Sequence, residues 1–487
     1  MAQTVRFILG DEIRELTDID PTMTVLTYLR TVERRTGTKE GCAEGDCGAC
    51  TVVLGIPDGD RVRYRAVDSC ILFVATLDGK QLITVEDLRD RDGSLHPVQQ
   101  AMVDCHGSQC GFCTPGFVMS LFALYHCELE PSDRRISDVL AGNLCRCTGY
   151  RPIIEAARRM YANGNGDRFT AVESAVIEQL RSIQRADTLT LMHGCRTYYA
   201  PVSLSTLASL VERHPDARLL SGGTDLGLLV TKQHEDLDTL IYLGDVRELQ
   251  TVRADGDQIE IGAAATFTDA FDAVADHYPD FGELLRRFGS VQVRNTGTLA
   301  GNIATASPIG DSLPALMALD ARLVLRRGGT TREVGLDEFF VGYRRTAMQP
   351  GEFIERIRIP IHTRRRFAAY KISKRFDQDI ASVCAAYSLA LDGSTVRDIR
   401  IAYGGMAPTP RRARLCEQAL AGCPWNEATV EQASHALDRD FAPITDLRAS
   451  SAYRSLVARN LLRKFQLETT HGAVETRIVV YAEHCHG

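Results

Sequence analysis

Cysteine spacing constrains this chain more than any other sequence feature. Three cysteines near the N-terminus follow a C-x4-C-x2-C pattern, and a fourth lies further along: Cys42, Cys47, Cys50 and Cys70. This is the spacing of a plant-type 2Fe-2S site, in which one loop supplies three thiolates to two irons. A four-cysteine zinc site is the alternative, but structural zinc usually uses two separated C-x2-C pairs. The spacing therefore favours a binuclear iron cluster.

The residues around this first set predict a small β-rich domain. Short segments with strand character occupy residues 5–9, 51–54, 62–67 and 82–85, and residues 25–34 predict a helix. Strands around a cysteine loop with one helix predict a β-grasp ferredoxin domain over residues 1–86.

A second set of cysteines lies in a segment that predicts helices almost throughout: Cys110, Cys113, Cys145 and Cys147. Its spacing alone is compatible with zinc as well as with an iron cluster. However, Cys113 leads into an apolar helix over 116–126, and Cys147 precedes a helix over 153–161. Because helix N-termini stabilise negative charge, this placement favours a second 2Fe-2S cluster in a helical domain over 87–163.

Composition restricts the classes of function. The 487 residues suffice for roughly three domains, and 56 Lys and Arg against 63 Asp and Glu give a net charge of -7, which predicts no binding to nucleic acid or membranes. The N-terminus shows no signal-peptide pattern, so we expect a cytoplasmic protein with reduced thiols. The remaining cysteines are expected to be buried or incidental: Cys105, Cys127, Cys195, Cys384, Cys416, Cys423 and Cys485.

Two glycine-containing segments follow a predicted linker over 164–190. A strand at 217–220, a glycine turn at 221–224 and a helix at 225–232 give an anion-binding arrangement, although such a glycine pair more often marks a plain turn. Residues 292–312 are rich in small and hydroxyl side chains and predict a ligand loop.

At this point the motifs resemble a known family. Gly41 to Cys50, Gln109 to Gly116 and Asn143 to Pro152 are similar to the paired 2Fe-2S domains of the molybdenum hydroxylases, the xanthine dehydrogenase family. The resemblance implies that the second set of cysteines holds the cluster nearer a molybdenum centre. The first set would then hold the cluster nearer a flavin.

The glycine segments resemble the vanillyl-alcohol-oxidase-type (PCMH) FAD-binding domain of the same family. The resemblance implies an α+β multidomain protein, with an FAD-binding domain over 191–364, an α+β C-terminal flavoprotein subdomain over 365–470 and a tail over 471–487. Simple core packing is the alternative for Phe288. The implied flavin contacts are Leu219, Leu220, Ser221, Gly222, Gly223, Thr224, Asp225 and Leu226 at the pyrophosphate, Thr298, Leu299, Ala300, Gly301, Asn302 and Asp311 at the ribityl and phosphate region, Phe288 at the isoalloxazine, and Ile354 and Lys371.

The family resemblance also implies a function. The chain would be the iron-sulfur and FAD subunit of a two-subunit family member, paired with a large molybdopterin-binding subunit in an α2β2 assembly. Hypoxanthine and xanthine would be oxidised to urate on that partner, with NAD as the electron acceptor, so no catalytic residue for substrate oxidation is expected here. Two alternatives stay open: another molybdenum hydroxylase, such as an aldehyde or N-heterocycle dehydrogenase, and a stand-alone NADH-oxidising flavoprotein.

Overall fold

The fold comes from a computed structural model that describes residues 4–162, 164, 166–470 and 476. The described residues divide into two compact units, 4–250 with 266–268 and 289–298, and 251–265 with 269–288 and 299–470. Of the helices in these ranges, none is long and apolar enough to cross a membrane. Apart from Thr476, the predicted tail over 471–487 lies outside the described residues.

The secondary structure elements are numbered here in chain order. The strands are β1 (Val5–Leu9), β2 (Glu12–Leu16), β3 (Thr51–Asp58), β4 (Arg61–Asp68), β5 (Gln81–Ile83), β6 (Leu189–His193), β7 (Arg196–Ala200), β8 (Arg218–Leu220), β9 (Thr239–Tyr242), β10 (Val252–Asp255), β11 (Gln258–Gly262), β12 (Arg322–Arg327), β13 (Thr330–Gly335), β14 (Phe340–Gly342), β15 (Arg345–Thr346), β16 (Phe353–Pro360), β17 (Arg366–Ile372), β18 (Val383–Asp392), β19 (Thr395–Gly404) and β20 (Arg411–Arg412). The helices are α1 (Val25–Thr31), α2 (Pro97–Asp104), α3 (Thr114–Cys127), α4 (Asp133–Leu140), α5 (Arg151–Arg159), α6 (Arg168–Ile183), α7 (Leu204–Arg213), α8 (Leu226–Thr231), α9 (Phe267–His277), α10 (Pro279–Arg286), α11 (Val291–Arg294), α12 (Leu299–Ala304), α13 (Ser312–Ala318), α14 (Leu336–Phe339), α15 (Arg414–Leu420), α16 (Glu427–Ser434), α17 (Leu437–Asp440) and α18 (Ser451–Thr470).

A mixed five-stranded sheet begins the first unit, in the order β2-β1-β5-β3-β4. Only β1 and β5 run parallel. Successive side chains of a strand point to opposite faces, so Val5 and Phe7 pack on one side with Tyr28 of α1, while Ile8 packs on the other side among the helices. Strand β2 was not predicted, because its residues are mostly exposed and show little apolar alternation.

Helices α2 to α6 pack on the opposite face of this sheet. Helix α3 is apolar on every side, and residues 116–125 are all buried, as expected of a helix inside a core. The predicted linker over 164–190 differs from an open connector, because it contains α6. Phe169, Ile177 and Leu180 of α6 are buried in the same core as α3. The polar stretch before α6 concealed this amphipathic helix, and Asn163 and Asn165 of that stretch are outside the described residues.

A second sheet completes the first unit, in the order β6-β7-β9-β8. Strands β7 and β8 both pair in parallel with β9, so the carboxyl ends of these strands share one edge. Strand β8 ends at Leu220, and the glycine turn follows directly. The sheet therefore presents this turn at its edge.

The second unit contains two larger sheets and a two-stranded ribbon. The sheet orders are β10-β11-β16-β12-β13 and β17-β18-β19-β20, and β14 pairs with β15. Helix α18 packs on the second of these sheets, where Phe465 stacks on Tyr387 with ring centroids 4.9 Å apart. Residues 366–470 contain strands β17 to β20 and helices α15 to α18, which fits the α+β subdomain expected over 365–470.

Candidate functional site

The first set of cysteines gathers between β3, β4 and the loop before them. The Cys42 thiol lies beside the thiols of Cys47 and Cys70, and the Cys50 thiol lies beside that of Cys70. Backbone amides of Glu44, Asp46 and Cys47 each donate to Cys42 Sγ at 3.4 Å. The hydrogen bonds from the neighbouring thiols hold the pKa of Cys42 well below its usual range, and the same bonds raise the pKa of their donors Cys47 and Cys70.

The second set gathers at the start of α3 and before α5. Cys113 is the N-cap residue of α3 and lies beside Cys145. The Sγ atoms of Cys110 and Cys147 lie 3.6 Å apart. The Thr148 amide donates to Cys145 Sγ at 3.5 Å. Cys110 and Cys147 are exposed, so this set lies at the surface.

The close sulfur contacts in each set include pairs, such as Cys110 with Cys147 and Cys50 with Cys70. In a binuclear cluster each iron is bound by two thiolates, so paired thiols are what such a cluster needs. The donor sets therefore fit binuclear clusters.

The two cysteine sets are joined by a direct backbone contact. The Leu144 amide, next to Cys145, donates to the Cys47 carbonyl at 3.0 Å. The Asn143 side chain donates to the Gly48 carbonyl at 3.0 Å and is itself held by Ser120, whose hydroxyl donates to Asn143 Oδ1 at 2.7 Å. No role was predicted for Asn143, because the motif does not show that this residue is buried, with only 2% of its surface exposed.

Gln292 completes this polar junction within the first unit. Its Nε2 donates to Ser120 Oγ at 3.0 Å and to Asn143 Oδ1 at 3.1 Å, and it is fully enclosed. The ligand-loop pattern over 292–312 included this residue but indicated no partner for it. The structure shows that its side chain contacts the junction between the two cysteine sets.

The glycine turn after β8 packs against a second predicted flavin segment. A Cβ built on Gly222 would lie 1.9 Å from the Thr296 carbonyl oxygen, so only glycine permits this approach. Gly223 has a φ of 74°, which also favours glycine. Within the first unit, the structure thus brings residues 221–224 against residues 296–297. Thr298 follows directly and is buried.

In the second unit, Asp311 and Lys371 form a buried ion pair. Lys371 Nζ lies 2.7 Å from Asp311 Oδ2 and also donates to the Arg287 carbonyl at 3.0 Å. Burial raises the pKa of Asp311. Its Oδ1 is buried without a hydrogen-bond partner, as expected of an acceptor that awaits a ligand hydroxyl or amide. Asn302 accepts a bond from Ser312 at 2.7 Å.

The remaining predicted flavin residues are more dispersed. Phe288 follows α10 and is half-buried, and Ile354 is buried on β16 opposite Leu325. Arg287, which the sequence analysis missed, donates to the carbonyls of Phe376 and Lys371. The contacts of Arg287 therefore tie the residue before Phe288 to the loop after Lys371.

One further cluster of metal-binding residue types lies outside the cysteine sets. Asp167 Oδ2 lies 2.7 Å from His96 Nε2 and 2.9 Å from His126 Nε2. However, His96 Nδ1 accepts the Val98 amide, so its Nε2 carries the proton of a neutral ring and donates to Asp167. A metal ligand needs that lone pair free. The arrangement is a buried hydrogen-bonded group at the start of α2 and α6.

The other cysteines show no ligand arrangement in the described part of the chain. Cys384 and Cys416 are buried, as expected, whereas Cys127 and Cys195 are exposed, and Cys485 lies outside the described residues. Tyr343 is 62% exposed in the turn between β14 and β15.

Three families match consecutive parts of the chain. The [2Fe-2S] binding domain matches residues 84–158, the FAD binding domain in molybdopterin dehydrogenase matches residues 191–362, and the CO dehydrogenase flavoprotein C-terminal domain matches residues 368–469. The first of these contains the second set of cysteines, and the second contains both glycine segments. The matches define a flavoprotein with an iron-sulfur domain.

Comparison with known proteins identifies the class of protein more closely. Xanthine dehydrogenase of Emericella nidulans is 35% identical over 90% of this chain, and that of Drosophila pseudoobscura pseudoobscura is 34% identical over 98%. This chain spans only 36% and 40% of those proteins. Carbon monoxide dehydrogenase from Hydrogenophaga pseudoflava matches 55% of this chain and 94% of its own, with 30% identity and a TM-score of 0.52. Quinoline 2-oxidoreductase from Pseudomonas putida matches 56% of this chain and 95% of its own, with 26% identity and the same TM-score.

The families, the relatives and the structures agree on one family of oxidoreductases. The chain belongs to the molybdenum hydroxylase family, as its iron-sulfur and FAD-binding part, and is close to xanthine dehydrogenase.

Proposed function

We propose that this chain is the electron-transfer subunit of a xanthine dehydrogenase. It would accept electrons from a molybdenum centre on a large partner subunit during oxidation of hypoxanthine and xanthine to urate, and deliver them to NAD. Bound 2Fe-2S clusters pass electrons singly, and bound FAD can accept them singly and hand on a hydride. The protein's residues hold, order and insulate these groups.

The observation that carries the proposal is the hydrogen bond between the two cysteine sets. Leu144 is the residue before Cys145, and Cys47 is itself a proposed ligand. The Leu144 amide donates to the Cys47 carbonyl at 3.0 Å. A short covalent and hydrogen-bonded route thus links the second set to the first. Asn143 and the Gln292 Nε2 group enclose this route with buried hydrogen bonds.

The binding residues are proposed by position. The second cluster, at the family-matched segment, would be held by Cys110, Cys113, Cys145 and Cys147, and the first by Cys42, Cys47, Cys50 and Cys70. Flavin contacts are proposed in the first unit at the segment around Gly222, and in the second unit at the segment around Asp311. The tight turn at Gly222 and the unpartnered Asp311 Oδ1 support this assignment.

Surface exposure supports a partner at the second set. Cys110 and Cys147 are exposed, and Phe112 between them in sequence is 48% exposed. In the Hydrogenophaga carbon monoxide dehydrogenase, 55% of this chain covers 94% of the matched chain, so in that enzyme a part of this chain has its counterpart in a chain of its own. This favours a separate molybdopterin-binding subunit, in an α2β2 assembly by analogy with the family.

The test is purification of the protein from its host, followed by molybdenum, iron and flavin analysis and assay of xanthine-dependent NADH formation. We expect molybdenum from a co-purifying large subunit, about four irons for two binuclear clusters, and urate formation coupled to NADH. Molybdenum without xanthine activity would indicate another hydroxylase, as the quinoline 2-oxidoreductase match allows. Full NADH-dependent dye reduction without molybdenum would indicate a stand-alone reductase.

The flavin assignment has its own test. Gly222→Ala forces a Cβ into the Thr296 carbonyl, so we expect FAD content to fall more than about tenfold while iron is retained. Gly335→Ala is the matched control, because a Cβ at Gly335 meets nothing within 4 Å. Normal FAD content in Gly222→Ala would contradict the assignment.

A further inference from the structure

Helix α8 and the residue after it contact both chain segments that carry the first cysteine set, the loop with Cys42 and the segment with Cys70. The helix begins at Leu226, at the end of the proposed pyrophosphate segment, and ends at Thr231. Its Gly227 packs on Ile71, the neighbour of Cys70, so closely that a Cβ there would lie 2.7 Å from the Ile71 carbonyl oxygen. This short helix therefore lies against the chain that carries the fourth cysteine.

The C-terminal end of α8 holds the loop that carries Cys42. Thr231 Oγ1 donates to the Ala43 carbonyl at 2.8 Å, which is shorter than its 3.1 Å contact with the Gly227 carbonyl of its own helix. Lys232 Nζ donates to the Cys42 carbonyl at 2.6 Å and lies 3.4 Å from Glu44 Oε2. Two successive carbonyls of the loop are thus fixed.

Fixing the Ala43 carbonyl also orients the next amide. Across a planar trans peptide, the C=O and N–H groups point in opposite directions. Because the Ala43 carbonyl faces Thr231, the Glu44 N–H faces away from α8, and it donates to Cys42 Sγ at 3.4 Å. Ala43 itself has a φ of 55°, a left-handed conformation that a non-glycine residue keeps only when its surroundings hold it.

Hydrogen bonds to cluster sulfurs, and nearby positive charge, stabilise the reduced and more negative state of an iron-sulfur cluster. We propose that Thr231 and Lys232 are positioning residues that raise the reduction potential of the first cluster. Thr231 aims the Glu44 amide at Cys42 Sγ, and Lys232 places a cation on the Cys42 carbonyl. This inference rests on the proposed first 2Fe-2S cluster.

The test is a potentiometric titration of the complete enzyme, followed by electron paramagnetic resonance of both clusters. Thr231→Val keeps the shape but removes the donor. At a fixed solution potential, we expect the ratio of reduced to oxidised first cluster to fall about fivefold in this variant. Lys232→Met should change the ratio in the same direction. The ratio for the second cluster should stay unchanged in both variants.

A matched control is Thr31→Val, because Thr31 makes the same kind of bond to a carbonyl four residues earlier, Thr27 at 2.7 Å, on an exposed part of α1. An unchanged first-cluster ratio in Thr231→Val, with both signals present, would overturn this inference alone. Absence of the first signal from the unmodified enzyme would overturn the proposed first cluster itself. If Thr231→Val does not assemble the cluster, Thr231→Ser must restore both the signal and the ratio, and failure of Ser to do so would also overturn the inference.

Discussion

The two cysteine sets are packed in opposite ways. Cys50 and Cys70 are buried with Leu26 and Ile71. The loop before them is held by α8, whose Thr231 hydroxyl donates to the Ala43 carbonyl. The second set leaves Cys110 and Cys147 exposed. An enclosed site suits transfer inside the chain, whereas an open site suits transfer from another protein surface. Under the proposed function, this difference fits transfer from a partner to the second set and from there to the first.

Loss of one ligand in each set gives the largest expected effects. Cys70→Ser should remove one of two 2Fe-2S signals and about half of the iron, and it should also lower the unfolding temperature, because Cys70 is only 2% exposed. Cys147→Ser should remove the other signal with little change in unfolding temperature. Electron paramagnetic resonance, iron analysis and thermal unfolding measure these changes. Retention of both signals in Cys70→Ser would break the first assignment.

Substitution of Asp167 tests how much its contacts with His96 and His126 stabilise the helical part of the first unit. Burial by itself raises the pKa of Asp167, but the nearby His126 ring and a hydrogen bond from His96 outweigh it and hold the pKa below the usual range. A carboxyl with a lowered folded pKa stabilises the protein above its unfolded pKa of about 3.9, and this stability is lost as the pH falls through the folded pKa.

Asp167→Asn should therefore lower the free energy of unfolding by about 3 kcal/mol at pH 7. The difference from the unmodified protein should shrink below about pH 4. Urea unfolding at several pH values measures this, with Asp216→Asn as a control at an exposed aspartate. A difference that stays constant down to pH 3 would show that the carboxylate charge is unimportant here.

Asn143 lies where the two regions meet. Asn143→Ala leaves the Gly48 carbonyl, the Ser120 hydroxyl and the Gln292 amide without this partner, so we expect the free energy of unfolding to fall by about 2 kcal/mol. Chemical denaturation measures the change, and Asn460→Ala at an exposed position serves as the control. An Asn143→Ala variant as stable as that control would mean that the junction is not held by this side chain.

The smallest effect on stability is expected at Phe112. Its side chain is 48% exposed beside the second set, so Phe112→Ser should change the free energy of unfolding by less than about 0.5 kcal/mol. If this surface contacts the molybdopterin-binding subunit, association should weaken by about tenfold. Val172→Ser, at an exposed site on α6, is the control, and unchanged association of Phe112→Ser would exclude Phe112 from the interface.

Local sequence patterns were sufficient to predict the helices and strands that have a clear apolar run or a glycine turn. The apolar run after Cys113 predicted α3, and Leu220 with the glycines after it predicted a strand and turn, as the structure has them. The exposed edge strand β2 and the amphipathic helix α6 were missed, because one lacks apolar alternation and the other follows a linker-like stretch. The roles of Asn143 and Arg287 depend on partners distant in sequence.

The sequence by itself determined which residue types and spacings are available for metal and flavin chemistry, because thiol ligands and glycine turns are short-range patterns. The resemblance to the family was also readable from the sequence motifs, and the family models match the segments that carry most of them. Only the tertiary structure decided that the Leu144 amide meets the Cys47 carbonyl and that Thr231 holds the Ala43 carbonyl. These contacts join residues about a hundred or more positions apart, and such closure follows from packing of whole elements and not from any local pattern.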